Sequence, residues 1–171
     1  MFISKFSLKF KITAFVLFVS LSAILFFHLT STTQKTLVSQ KQNIEAYNAL
    51  AVNDVLEQKL EDQKSKALAI DTYFRERNMP LAGHGMKMVV EAEKNELDWR
   101  LIAAIAVRES TGGKHECKRV ENNPFGWGSC KIGFKSNEEA IETVAKNLGG
   151  NNPNTAHHYD NKTVKQILNA Y

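Results

Sequence analysis

The first proline of the chain is Pro80 and the first glycine is Gly83. These are the two residue types that most readily end a helix, proline by losing a donor and clashing with the turn behind it, glycine by its backbone freedom. Nothing in nearly half of the 171 residues forces a break, so an uninterrupted helix is the simplest conformation for this part. Within it, residues 12–29, opening on Ile12 and closing on Leu29, contain no Asp, Glu, Lys or Arg and are rich in Phe, Leu, Val and Ile. That length lets a single helix just cross the hydrocarbon layer. Lys5, Lys9 and Lys11 precede the run, which favours a cytoplasmic N-terminus, although Lys35 and Lys41 follow it closely. Ser20-x-Ser22 lies inside the run and Thr30-x-Thr32 is a poor cleavage site. The expectation is a cytoplasmic tip and uncleaved signal-anchor over residues 1–29, a single-pass attachment to the cytoplasmic membrane with the remainder exported. Cleavage would instead give a secreted protein. His28, at the end of the span, fits an interfacial position without a functional role.

Residues 30–66 are polar and rich in Gln, Lys, Glu, Ala and Leu. Leu37, Ile44 and Ala51 stand seven apart, but Gln40, Asp54 and Gln58 interrupt the seam that a coiled coil needs. The segment reads as a solvated helical spacer, and nothing in its pattern supports a partner protein bound along it.

A folded domain is expected over residues 67–171. Leu68, Ile70, Tyr73 and Phe74 give one partly amphipathic helix, ended by Asn78-Met79-Pro80. Met86, Val89, Val90 and Ala92 give a second, closing near Asn95. A third runs from Asp98, a good N-cap, to Gly112-Gly113. Ser136-Asn137-Glu138-Glu139 forms a capping box ahead of Ile141, Val144, Ala145 and Leu148, and residues 163–171 repeat the pattern through Val164, Ile167, Leu168 and Tyr171. Period-two alternation is absent, so the fold class is all-α, with one irregular segment over residues 114–135.

On the third helix, about 100° per residue places Glu109 within roughly 40° of Ile102 and Ile105. Its carboxylate thus leaves from the apolar face. Burial and a place in the last turn both disfavour the charged form, and a carboxylic acid held neutral is what a general acid in glycoside cleavage requires. The bland alternative is a side chain turned outward to pair with Arg108 or Lys114.

The irregular segment contains Asn122-Asn123-Pro124-Phe125-Gly126-Trp127-Gly128-Ser129-Cys130. Phe125 and Trp127 offer flat faces on which a pyranose ring stacks, and Asn122 and Asn123 could bond an acetamido group. Alternatively, the aromatics plug the core beneath a turn. Cys117 and Cys130, the only cysteines, bracket the segment, and in an exported protein they are expected to pair, stabilising by roughly 3 kcal/mol. A metal site from His115, Glu116 and Cys117 with His157 and His158 matches no ligand spacing in common use. No metal or cofactor is expected. No G-x-S-x-G is present for a serine nucleophile.

The residues from Asp98 to Gly112, with Arg108-Glu109-Ser110-x-Gly112 at their end, resemble the catalytic-glutamate helix of lysozyme-like peptidoglycan-cleaving enzymes. They are similar both to lytic transglycosylases, with an E-S-x-G-like helix end, and to bacterial glucosaminidases of the mannosyl-glycoprotein endo-β-N-acetylglucosaminidase type, with E-[ST]-x-x-G. Asn122 to Trp127 resembles the glucosaminidase N-N-x-F-G-[IW] stretch, and Ala170-Tyr171 is similar to the transglycosylase A-Y-N segment. The resemblance covers roughly residues 80–171. It implies a lysozyme-like helical domain cutting the glycan strands of peptidoglycan, of endo-β-N-acetylglucosaminidase type, with Glu109 as acid/base. It further implies Phe125 and Trp127 as cleft walls, Asn123 as a sugar contact and Tyr171 as a positioning group. A two-carboxylate hydrolase would place a second carboxyl group roughly 5–9.5 Å away, with Glu116, Glu121 and Asp160 as candidates. Without one, a lone glutamate serves as acid and then base while the substrate's own 6-hydroxyl or acetamido group attacks, the transglycosylase outcome. Family members usually continue past the position of Tyr171, so the sequence suggests a shortened or minimal version.

Lys and Arg outnumber Asp and Glu by 22 to 18, an excess that suits a polyanionic wall or lipid headgroups and does not argue for nucleic acid. Two readings without catalysis stand beside the enzyme: a glycan-binding module, and an envelope scaffold acting through the spacer.

Overall fold

The computed structural model describes the backbone of residues 3–171 and the side chains of Phe26 and of residues 39–171. The side chains of the anchor expected over residues 12–29 therefore lie, apart from Phe26, outside those described. No helix of the described residues is long and apolar enough to cross a membrane. Helix α1 (Ile3–Glu76) contributes to two compact units, residues 1–56 and residues 57–171. In the first, every side chain from 39 to 56 is exposed, Ile44, Tyr47 and Val55 included.

The second unit is all-helical among the described residues. It consists of the end of α1, α2 (Gly85–Lys94), α3 (Leu101–Ser110), α4 (Asn137–Leu148), α5 (Ala156–Tyr159) and α6 (Val164–Ala170). It starts some ten residues before the expected boundary at Ala67. Ahead of Ala67 the contacts are polar and invisible to hydrophobic periodicity: Gln63 Nε2 donates to Glu93 Oε2 at 2.7 Å and Lys66 Nζ to Glu93 Oε1 at 3.2 Å. These bonds, Gln63 foremost, hold the Glu93 carboxyl below its ordinary range. Further along α1, Ala67, Ile70 and Phe74 enter the core while Leu68 and Tyr73 remain exposed. Asp71 Oδ1 then accepts from the backbone N–H of Gly83 and Gly85 at 2.8 and 2.9 Å, tying the end of α1 to the start of α2.

Helix α2 buries Met88, Val89 and Ala92. The sequence places Val90 on that face, but Val90 is exposed, because α4 packs on the side marked by Met88 and Val89. Against them α4 sets Ile141, Val144 and Leu148, all fully buried. Ser136 caps α4 by accepting from Glu139 N–H at 3.3 Å. Glu139 completes only half of the expected box, since its carboxylate accepts from Lys135 N–H at 2.6 Å. At α6 both halves form between Thr163 and Gln166.

Helix α3 is the inner helix, with Leu101, Ile102, Ala103, Ile105 and Ala106 buried. Asp98 does not cap it. The helix begins at Leu101 after Arg100, and Asp98 Oδ1 accepts from Arg100 N–H at 2.9 Å while its Oδ2 pairs with Arg100 Nη2 at 2.6 Å. An Asx turn has taken the place of the cap. The Arg100 guanidinium and backbone N–H draw the Asp98 carboxyl down to about 2. A depressed carboxyl stabilises the fold above its unfolded value of 3.8 and ceases to as pH falls through about 2,. Acid unfolding of Asp98→Asn is thus expected to be less steep than that of the parent between these values, a small effect at a part-exposed pair. Circular dichroism against pH measures it, and identical slopes would remove the linkage.

At its other end α3 stops because Thr111 turns left-handed (φ 56°), followed by Gly112 (φ +64°). A Cβ on Gly112 would stand 2.7 Å from Met79 Sδ, so glycine is required there both for the turn and for the close approach.

Candidate functional site

Glu109 occupies the last turn of α3 on the row that begins with Ile102 and Ile105. Those two are buried, whereas the Glu109 residue is exposed and its side chain keeps 30% of its surface. The expected burial is not found. The apolar row runs out of the core at this point, because the layer that covers Ile102 and Ile105 ends one turn earlier and a hollow takes its place. Arg108 Nε stands 3.5 Å from Glu109 Oε1, a loose pair. Lys114, the other candidate partner, instead donates to the Arg77 carbonyl at 2.7 Å.

The hollow is a cleft of about 590 Å³ bordered by Glu109, Arg108, residues 126–129, Thr155, His158, Tyr159 and Tyr171. Its size falls within the range typical of small-molecule sites. The loop after Phe125 passes directly beside the carboxylate, and a methyl group on Gly126 would stand 3.5 Å from Glu109 Oε2. Gly126, Gly128, Ser129 and Cys130 all have left-handed backbones. This run curls the loop around Trp127, whose ring centroid lies 5.8 Å from that of Tyr171 and 6.2 Å from that of Tyr159. The three aromatic rings form one side of the cleft.

The expected site residues divide into those that reach the cleft and those that build it. Glu109, Trp127 and Tyr171 border it. Phe125 does not, being fully buried in the core, so the expectation of a stacking face fails there and the plug reading holds. Asn123 is also fully buried. Its Nδ2 donates to the carbonyls of Trp127 and Ile132 at 2.9 and 2.8 Å, and its Oδ1 accepts from Trp127 N–H at 3.0 Å. A sugar could meet this amide only by breaking those bonds, so it shapes the loop that carries Trp127. Asn122 donates to the Phe134 carbonyl at 2.9 Å.

Tyr171 joins both halves of the site. Its hydroxyl donates to the Phe125 carbonyl, and burial, followed by the nearby charge of Glu109, pushes the phenol far above its ordinary range. It remains a neutral donor throughout the biological pH range.

Cys117 and Cys130 form the expected disulfide, with Cα atoms 5.3 Å apart across a separation of 13 residues. Cys117 is thereby removed as a thiolate ligand. Glu116 and Glu121 line a different hollow with His115 and Lys118, and Asp160 lines another with Asn95 and Asn161. None of the three borders the Glu109 cleft, where Glu109 is the only carboxylate among the described residues.

Thr155 and Tyr159, which also border the cleft, carried no sequence signal, whereas Ser129 stands in the loop motif and His158, set aside as a metal ligand, is expected in an exposed turn or at a cleft rim, which it borders. Helix α5, which presents His158 and Tyr159, is four residues long, too short for periodicity. A separate groove of about 390 Å³ between the end of α1 and α3 is lined by Ile70, Tyr73, Phe74, Trp99, Arg100 and Val107 and holds neither a carboxylate nor a histidine among the described residues. No family model, curated protein or solved structure matches the chain.

Proposed function

We propose that the second unit cleaves glycan strands of peptidoglycan, with Glu109 as its one acid–base group. The observation that carries this reading is a lone carboxylate at the edge of an aromatic-walled cleft of sugar size, next to the N-N-P-F-G-W loop. The motif resemblance supplies the substrate class, and Glu109 standing as the one carboxylate at the cleft among the described residues narrows the chemistry. Glu109 donates a proton to the leaving glycosidic oxygen while an oxygen of the substrate itself bonds to the anomeric carbon as the old bond breaks.

If the bond cut follows N-acetylglucosamine, the attacking atom is the acetamido oxygen. Water then opens the cyclic intermediate and returns its proton to Glu109, leaving a reducing N-acetylglucosamine end of retained configuration. If the bond cut follows N-acetylmuramic acid, the acetamido oxygen again forms the cyclic intermediate, which the 6-hydroxyl then opens in place of water as its proton passes to the Glu109 carboxylate, and an anhydro end remains, as in a lytic transglycosylase. The endo-β-N-acetylglucosaminidase outcome is our first reading, because the loop motif is of the glucosaminidase kind. Trp127 provides the stacking face, while Tyr171 fixes the loop through the Phe125 carbonyl. The disulfide suits an oxidising compartment, in keeping with an exported domain attached to the membrane by residues 12–29.

Digestion of purified sacculi followed by mass spectrometry and anomer analysis tests the reading. Retained reducing N-acetylglucosamine ends are expected, and anhydro ends would move the assignment to the transglycosylase. Intact sacculi, or ends of inverted configuration made by a base-activated water, would reject it.

A further inference from the structure

Ser129 borders two hollows. One is the Glu109 cleft; the other, of about 520 Å³, is lined by Lys118, Arg119, Val120, Cys130 and Lys131. The second hollow exists because the Cys117–Cys130 disulfide brings together two stretches of the irregular segment that are distant in sequence. Its three cations are exposed, and none makes an ion pair among the described residues. Over residues 114–135 there are five Lys and Arg against two acidic residues, Glu116 and Glu121. Both acids line the next hollow, which shares Lys118 and Val120 with this one. Closely set cations without internal partners raise the local concentration of anions and give them a place to pair.

Where the anion comes from follows from the shared edge. Because Ser129 borders both hollows, a group carried by a strand in the cleft can pass directly into the second. We propose that the hollow of Lys118, Arg119 and Lys131 is a subsite for the carboxylates of peptide stems on the bound glycan strand. This rests on the glycan-cleaving reading for the occupant of the neighbouring cleft. The enzyme is then selective for strands that still carry peptides over stripped ones.

The test uses the full chain in detergent with Glu109→Gln, so that strands survive, and measures its binding to fluorescent soluble strands. Stem-bearing strands are expected to bind about tenfold more tightly than stripped strands, the sum expected of three exposed charge pairs. Amidation of the stem carboxylates, or the added substitutions K118Q, R119Q and K131Q, should erase the difference. All three side chains are exposed, so an unchanged melting curve for that variant is also expected. Equal binding of stripped and stem-bearing strands, no binding to stem-bearing strands, or a preference that survives the triple substitution would each overturn the subsite. So would stripped strands bearing phosphate polymer that bind as tightly as stem-bearing ones, which would assign the hollow to phosphate. Sacculus digestion by the unaltered protein, run in parallel, separates the two ideas: no release removes the cleavage reading alone, and lost stem preference removes the subsite alone.

Discussion

On the glycan-cleaving proposal, Glu109→Gln is expected to lower the release of glycan fragments from sacculi by about 10²–10⁴-fold, the usual contribution of a positioned acid–base group. The amide keeps the size and the hydrogen-bonding reach of the carboxylate but cannot deliver a proton to the departing oxygen. Among the described residues no second carboxylate borders the cleft, so the loss should lie toward the upper end of that range. Stability should hardly move. The side chain is 30% exposed and its contact is a loose pair with Arg108 at 3.5 Å, a setting in which substitutions usually stay within about 0.5 kcal/mol. The comparison to make is therefore fragment release at matched melting temperature. A variant that folds normally and keeps more than about a tenth of the activity would take Glu109 out of the reaction. A variant that still binds strands but releases nothing separates catalysis from simple attachment.

Phe125→Ala should destabilise the second unit by about 3–5 kcal/mol, the cost of emptying a fully buried aromatic site. Domains of this kind are commonly stable by only about 5–15 kcal/mol, so a large share of the total is at stake. The side chain is completely enclosed, and its carbonyl accepts the Tyr171 hydroxyl. A collapse of the loop toward the cavity would therefore disturb the cleft as well as the core. Urea unfolding of the variant measures the loss, with Trp127→Ala as the contrast. Trp127 is half-buried against two tyrosines, and its removal should harm strand binding more than stability. A cost under about 1 kcal/mol for Phe125→Ala would return Phe125 to the cleft as a surface for sugar.

The different fates of Phe125 and Trp127 show where sequence reasoning stops. Helices α2, α3, α4 and α6 were legible because the apolar period persists over seven or more residues, helped by glycine stops after α3 and α4 and by the Ser136 cap of α4. The loop has no period, so two aromatics two residues apart offer nothing to say which faces inward. Their directions follow from Asn123, which anchors Trp127 through three hydrogen bonds, and from four left-handed residues at positions 126 to 130. The helical wheel assigned Glu109 to the apolar row correctly, but a wheel carries no information on where the covering layer ends. The disulfide was readable because two cysteines allow one pairing. The cleft itself was not, since its border joins residues 108, 129, 155 and 171, which only the packing of α5 and α6 brings together.

The bond from Tyr171 to the Phe125 carbonyl links positions 46 residues apart. The aromatic side of the cleft therefore depends on how the α6 end is seated, and a substitution that loosens α6 would open the cleft without touching the helix that carries Glu109.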